Sequence, residues 1–524
     1  MDFVVNTRVG KVRGIKLKNL VGDDFFAFKG IPYAKPPVGD LRFQDPEPVE
    51  SWTGIRNAVS HESNCAQHDI LSGRIVGSDD CLYLNIYTKH TEIGLKKLPV
   101  MVWIHGGGFN YGHSDDTLYG FDYFMRKNVI TISINYRVGI LGFLNLNHEV
   151  AAGNQGLKDQ VMALQWIRDN IASFGGDPDN VTIFGQSSGA AAVHYLTISS
   201  LATGLFHKAI AQSGVALNPW IFHTKPEVRA HQLCQQLGHT DRDPLSIVQF
   251  LRKIGIERLI EVQENLLTYD EKIQFAFPFG PSIDLKSKRP FLPVHPEVAA
   301  AKGIQVPMII GHTSRETTFL LKTIGEDHVR FNDEFDKLLH PNSKRILRWY
   351  DLSSEHLKHN YLKNDVITEE NVDKLIDLLG DLYFVEGIHR VIKIQVEKNL
   401  APIYYYQFSY DSGPSFRRLL YNNFMKGASH ADDLHFLFYT HFFDGTMDLP
   451  QKGLDKHKIT ERMIELWVNF ATTGMPTPGL SNVTSFNWEP VNNKTVFRFL
   501  NICKDMRMDV VLNLEHRYNI RKNK

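Results

Sequence analysis

Val181-Thr182-Ile183-Phe184-Gly185-Gln186-Ser187-Ser188-Gly189-Ala190-Ala191-Ala192-Val193 carries an apolar β-type run into a helix-compatible run across the pentapeptide Gly-Gln-Ser-Ser-Gly. A serine at such a strand-to-helix corner has strained backbone angles, tolerates little bulk beside it and projects its Oγ into open space. The stretch therefore reads as a nucleophile elbow, and the two glycines matter as much as the serine. An ordinary glycine-rich turn would look the same in isolation. The reading depends on whether the rest of the chain supplies a base, an acid and donors for a developing negative charge.

Upstream of the elbow, Leu157, Val161, Leu164, Ile167 and Ile171 recur at helical spacing, and Phe174-Gly175-Gly176-Asp177-Pro178 then stops the helix and turns the chain into the elbow strand. Similar β-type runs stand at 84–87, 100–104 and 129–134 before the elbow and at 209–211, 307–310 and 403–406 after it. Near-continuous apolar runs suit strands covered on both faces. Their alternation with helices predicts an α/β class, with a mostly parallel central sheet flanked by helices. Residues 224–400 are more helical, with Glu369 to Lys398 as one long amphipathic candidate. The return to β-type sequence at Ile403 makes this region an insertion over the carboxyl ends of the strands, where ligand pockets form.

The 524 residues are 43% hydrophobic and 22% charged, and no linker or fixed-period repeat divides them, so one domain over 1–524 is expected. Fifty-eight basic and 58 acidic residues give a formal net charge of zero, which excludes the basic excess of a nucleic-acid binder and favours small neutral partners. No apolar run reaches the ~20 residues of a membrane span. The N-terminus lacks the pattern of a signal peptide, and a cytoplasmic location is expected. Four cysteines are too few for a disulfide-built scaffold. Cys65 and Cys81 could close a short loop, and their redox state stays open. Sequons stand at Asn180, Asn482 and Asn493, the first of them beside the elbow strand, where a glycan would fit poorly. Oligomeric state is not readable.

Attack by Ser187 on a carbonyl would need hydrogen-bond donors for the resulting oxyanion. His105-Gly106-Gly107-Gly108-Phe109 follows a strand and offers successive amides with no side chains to block approach, and the Ser188 amide adds another donor. A phosphate-binding loop is the competing reading of these glycines, but neither segment shows the G-x-x-x-x-G-K-[ST] pattern.

With these segments in place, the chain resembles the carboxylesterase and cholinesterase branch of the α/β-hydrolases over nearly its whole length, insect detoxifying esterases in particular. The resemblance is carried by Gly30-Ile31-Pro32-Tyr33-Ala34, Leu41-Arg42-Phe43, Asp80 to Asn85, Asn135-Tyr136-Arg137, Gly153 to Gln160 and Phe174 to Pro178. It implies the α/β-hydrolase fold with helical insertions over the active site, and serine-ester chemistry needing no metal or organic cofactor. Gly427-Ala428-Ser429-His430-Ala431-Asp432-Asp433 is similar to the family's base segment, which selects His430 among 23 histidines. Ile309 to Glu316 is similar to its acid segment, with Thr317 where the family usually has glycine. The implied triad is Ser187, Glu316 and His430, with Gly107, Gly108 and Ser188 binding the oxyanion. Ser213 and Asp433 match a buried polar pair beneath it. Arg42 with Asp79, and Arg137 with Asp159, resemble structural ion pairs.

The same resemblance places Trp220, Phe275 and Phe277 in the acyl pocket and Phe319 on the alcohol side. Phe279 is read as core. Cholinesterases hold a quaternary ammonium over a tryptophan, but the matching stretch from Gln67 to Asp80 has no aromatic residue, and Gln186 replaces the usual elbow glutamate. Both departures argue against a cationic choline ester and for neutral carboxylic esters as substrates; the resemblance itself implies organophosphates as inhibitors. Gln186 also admits a juvenile hormone esterase as the narrower alternative. A non-catalytic adhesion protein on the same fold is the alternative of another class, and it is disfavoured because all three triad residues are present.

Overall fold

The structure is a computed structural model and describes residues 3–89, 97–363, 365–413, 425–441, 453–479, 481 and 484–517. Its centre is a 13-stranded sheet. We label its strands β1 (Phe3–Asn6), β2 (Lys11–Lys18), β3 (Asp24–Pro32), β4 (Tyr83–Thr88), β5 (Leu98–Ile104), β6 (Ile130–Ile134), β7 (Gly176–Gln186), β8 (Lys208–Gln212), β9 (Met308–Thr313), β10 (Ile403–Phe408), β11 (Val496–Ile502) and β12 (Arg507–Leu512). They lie in the order β1-β2-β3-β4-β6-β5-β7-β8-β9-β10-β11-β12, with Ile55–Asn57 paired to β2 off this path. Every pairing from β6 through β11 is parallel. The antiparallel pairings sit at the two ends.

Strand pleating explains why runs such as Val100 to Ile104 are apolar throughout. Val100, Val102 and Ile104 face one core, while Met101 and Trp103 face the other. Helices α1 (Gln155–Asn170) and α2 (Ser188–Ile198) cover the first face through Leu157, Leu164, Ala191 and Val193. The second face is covered by Asp455–Thr473 through Ile459, Met463 and Trp467. The expected single helix from Glu369 to Lys398 is instead three pieces. α3 (Val372–Gly380) and α4 (Glu386–Lys398) flank a π-helical turn, Asp381–Val385. Such a turn shifts the helical register and directs Phe384 into the site described below.

Both expected ion pairs form. Arg42 Nε donates to Asp79 Oδ2 at 3.1 Å. Arg137 donates from Nε and Nη2 to the two oxygens of Asp159 at 2.8 and 2.7 Å, and its Nη1 reaches the Gln44 carbonyl. Arg137 and Asp159 are both buried, so removing one charge strands the other in a poorly solvating interior. Asp159→Asn is expected to lower unfolding free energy by about 3–5 kcal/mol in a urea titration. A loss under about 1 kcal/mol would show that the pair is not holding this part of the fold.

Cys65 and Cys81, left open by the sequence, form a disulfide. Asn180 is engaged by Lys208 Nζ beside the sheet, in keeping with the poor fit expected of a glycan there. Asn493 is exposed, and Asn482 lies outside the described residues.

Candidate active site

β7 ends at Gln186 and α2 begins at Ser188, leaving Ser187 between them at φ 60° and ψ −127°. A non-glycine residue pays about 1–3 kcal/mol to sit in so sparsely populated a region, and the neighbours must over-determine it. Ser187 N donates to the Gln212 carbonyl at 2.8 Å, and Ser187 O accepts from Ala191 N at 3.0 Å. Gly189 has to be glycine, because a β-carbon there would lie 2.1 Å from the Ile104 carbonyl oxygen. The glycines of the pentapeptide therefore let α2 close against the end of β5.

The residues expected as acid and base, Glu316 and His430, arrive from the ends of adjacent strands. The turn after β9 docks onto the loop bearing His430: Arg315 N donates to Ala428 O at 2.9 Å, and Ala428 N donates to Ser314 Oγ at 3.0 Å. This brings His430 Nδ1 to 2.5 Å from Glu316 Oε2, while Glu316 Oε1 accepts from Thr313 N at 2.7 Å. Burial opposes a charge on Glu316, but the adjoining His430, the hydrogen bonds and Ser213 outweigh it and hold the carboxyl below its ordinary pKa. Thr317, the departure from the family's glycine, fits without disturbing this geometry. Its hydroxyl donates to the Ile376 carbonyl on α3 at 2.7 Å, which ties the acid turn to the helical insertion.

Ser213 and Asp433 both lie near Glu316, and no hydrogen bond among the described residues joins them. Ser213, at φ 58°, sits against the Glu316 carboxylate. Asp433 accepts from Gln212 Nε2 at 2.8 Å and from the Tyr406 hydroxyl at 3.2 Å. Burial pushes its pKa up to about 7, and the negative charge of Glu316 adds to the rise against the pull of Gln212 and Tyr406.

The glycine loop after β5 is folded back on itself. The Gly107 carbonyl accepts from the amides of Asn110 and Tyr111, and the Gly108 carbonyl accepts from Asn110 Nδ2 at 2.6 Å. No hydrogen bond among the described residues uses the amides of Gly107 or Gly108, so both remain available as donors. Two supports that sequence reasoning missed fix the loop. Tyr136 stacks on the His105 ring at 4.3 Å between centroids and donates its hydroxyl to the His105 carbonyl. Gln67, inside the disulfide loop, both accepts from Gly112 N and donates to Gly112 O. Burial lowers the His105 pKa to about 3, so its imidazole is neutral.

Aromatic residues form one connected wall. Phe275 lies 4.9 Å from Trp220, 5.1 Å from Phe277 and 4.9 Å from Phe319, centroid to centroid. Trp220 is held by donating Nε1 to the Tyr383 carbonyl. Phe384, also missed, packs 4.9 Å from the His430 ring and 5.5 Å from Trp220, closer to that imidazole than Phe319 at 6.0 Å. The π-helical turn hides it in the sequence, because helical spacing across 369–398 implies an unbroken register. Phe279 is buried, as expected of core.

The arrangement can do the chemistry of acyl transfer: a serine on a strained corner, an imidazole paired to a carboxylate, and amides presented by glycines. A model of the carboxylesterase family matches residues 1–519. The chain belongs to the carboxylesterase family. It is a carboxylic ester hydrolase with the α/β-hydrolase fold. Among curated relatives of this esterase, the juvenile hormone esterase of Tribolium castaneum is 35% identical over 93% of this chain and 86% of its own length. Esterase B1 of Culex pipiens is 33% identical over 96% and 94%. The crystal structure of juvenile hormone esterase from Manduca sexta, with OTFP covalently attached, is 29% identical and superposes with a TM-score of 0.84 over 99% of this chain and 98% of that one. These insect relatives correct the cytoplasmic expectation and point to an extracellular esterase. The Cys65–Cys81 disulfide agrees, since such bonds persist in oxidising compartments.

Proposed function

We propose that the esterase hydrolyses neutral carboxylic esters through an acyl-enzyme on Ser187. His430 takes the Ser187 proton as Oγ attacks the ester carbonyl and returns it to the departing alcohol. Water activated by His430 then releases the acid. Glu316 fixes the imidazole tautomer and balances its charge, and the Gly107, Gly108 and Ser188 amides receive the oxyanion. The observation that carries this reading is the short Glu316–His430 contact beside a serine held at a positive φ. Strands from residues 3 to 512 enter one sheet, and in this reading the chain works as a single domain.

The apolar wall of Trp220, Phe275, Phe277, Phe319 and Phe384 favours uncharged acyl and alcohol groups. Detoxification of xenobiotic or lipid esters, with organophosphates trapped on Ser187, fits that chemistry. Hydrolysis of juvenile hormone is the second reading, favoured by Gln186 at the elbow and by likeness to two juvenile hormone esterases. Steady-state comparison of juvenile hormone with naphthyl and fatty acyl esters separates the two. Comparable kcat/KM values support the general esterase, and a preference for the hormone by orders of magnitude overturns it.

Gly108→Asp tests the oxyanion loop. Gly108 stands at φ 61°, and a β-carbon there would fall 2.0 Å from the Phe277 ring, so the substitution must displace Phe277 as well as the amide. Carboxylester turnover is expected to fall by about 10²–10³-fold, the cost of losing one oxyanion donor. The introduced carboxylate, placed near the phosphorylated serine, is expected to speed release of phosphate by water. Unchanged ester turnover would remove Gly108 from the site.

A further inference from the structure

The nitrogen of His430 that must accept the serine proton is engaged by a different residue. Gln186 Nε2 lies 3.0 Å from His430 Nε2. No hydrogen bond joins Ser187 Oγ to His430, and both residues are nine-tenths or more buried. The polarity of the contact follows from the other side of the ring. With Nδ1–H donated to the Glu316 carboxylate, a neutral imidazole presents a lone pair at Nε2. Only the NH₂ of Gln186 can face that lone pair, which leaves Oε1 over Gly106, 3.1 Å from where a β-carbon would stand. A side chain at position 106 would crowd both the Gln186 backbone and its carboxamide, so glycine there leaves room for the contact.

The geometry points to Gln186 as a positioning residue that competes with Ser187 for the base nitrogen. During acylation the Gln186 Nε2–H···Nε2 bond breaks and Ser187 Oγ–H takes its place. The serine proton then moves to Nε2 as Oγ bonds the ester carbon, and the carbonyl electron pair passes to the oxyanion. A donor to the lone pair stabilises the unprotonated ring and opposes the imidazolium. A carboxylate at this position, as cholinesterases carry, would do the opposite.

The test is the pH dependence of kcat/KM for a neutral ester in Gln186→Glu and Gln186→Met. The other groups facing this network are Glu316 on Nδ1, the uncharged rings of Phe319 and Phe384, and His312 and Asp433, which act on Glu316. Both variants leave all of these in place, so an acid limb set by Asp433 would not move. In Gln186→Glu the acid limb is expected to rise by about 1–3 pH units, because a facing carboxylate favours the imidazolium. In Gln186→Met, which loses the donor without adding charge, it is expected to rise by less. An acid limb unchanged in folded Gln186→Glu, or lowered in Gln186→Met, overturns the role, and the Met variant decides alone if the Glu variant does not fold. The inference rests on the triad reading above, and the two fail differently. An enzyme that shows no adduct at Ser187 loses the triad, whereas an active enzyme labelled at Ser187 with an unmoved acid limb loses only Gln186.

Discussion

Ser187→Ala is expected to lower kcat for any carboxylic ester by about 10⁶-fold, the scale on which removal of a serine nucleophile acts when its base can no longer be used. The backbone of the corner is set by the Gln212 and Ala191 hydrogen bonds and by Gly189 against Ile104, none of which involves the hydroxyl. Alanine keeps the small β-carbon that the corner already accommodates. The thermal midpoint is therefore expected to stay within a few degrees of wild type while turnover disappears. Turnover retained within tenfold would mean that another group attacks the ester, and an unfolded variant would mean that the elbow depends on the hydroxyl.

The second large effect is Glu316→Gln. Each carboxylate oxygen of Glu316 accepts a hydrogen bond, one from Thr313 N and one from His430 Nδ1, and an amide has only one acceptor oxygen. If that oxygen keeps Thr313, the NH₂ faces Nδ1 and forces the proton onto Nε2, the nitrogen that must receive the serine proton. If it keeps His430, the NH₂ opposes the Thr313 amide and the turn loosens. The neutral residue also no longer balances an imidazolium. A fall in kcat of about 10⁴-fold is expected, the scale set by losing the orienting carboxylate of such a triad. Because Glu316 stands behind His430, KM should change by far less than kcat. A fall in kcat/KM carried mainly by KM would assign Glu316 to substrate binding instead.

Much of this site was legible because its parts are local. The elbow, the glycine loop and the Ile309 to Glu316 turn each need particular small or polar residues within five to eight positions, so they leave a pattern in the chain. The strands were legible for a related reason: burial on both faces makes runs such as Val100 to Ile104 apolar without alternation. What was not legible depends on contacts between distant segments. Nothing near Gln67 or Tyr136 announces that they brace the glycine loop, since the backbone they hold belongs to Gly112 and His105. Phe384 was hidden by the π-helical turn, because helical periodicity assumes an unbroken register. The bond from Gln186 to His430 spans 244 positions. Gln186 was read as the loss of a charge, and its proximity to the base emerged only in three dimensions. The disulfide was undecidable for another reason, since thiol pairing depends on the compartment as well as on spacing.

Whether Ser187 is the nucleophile of this carboxylesterase is decided by intact-mass analysis and peptide mapping after exposure to a small organophosphate. One phosphoryl adduct per chain is expected, on Ser187, forming in step with loss of esterase activity and absent from Ser187→Ala. An active chain that gains no adduct, or carries it on another residue while Ser187 stays unmodified, would contradict that role for Ser187.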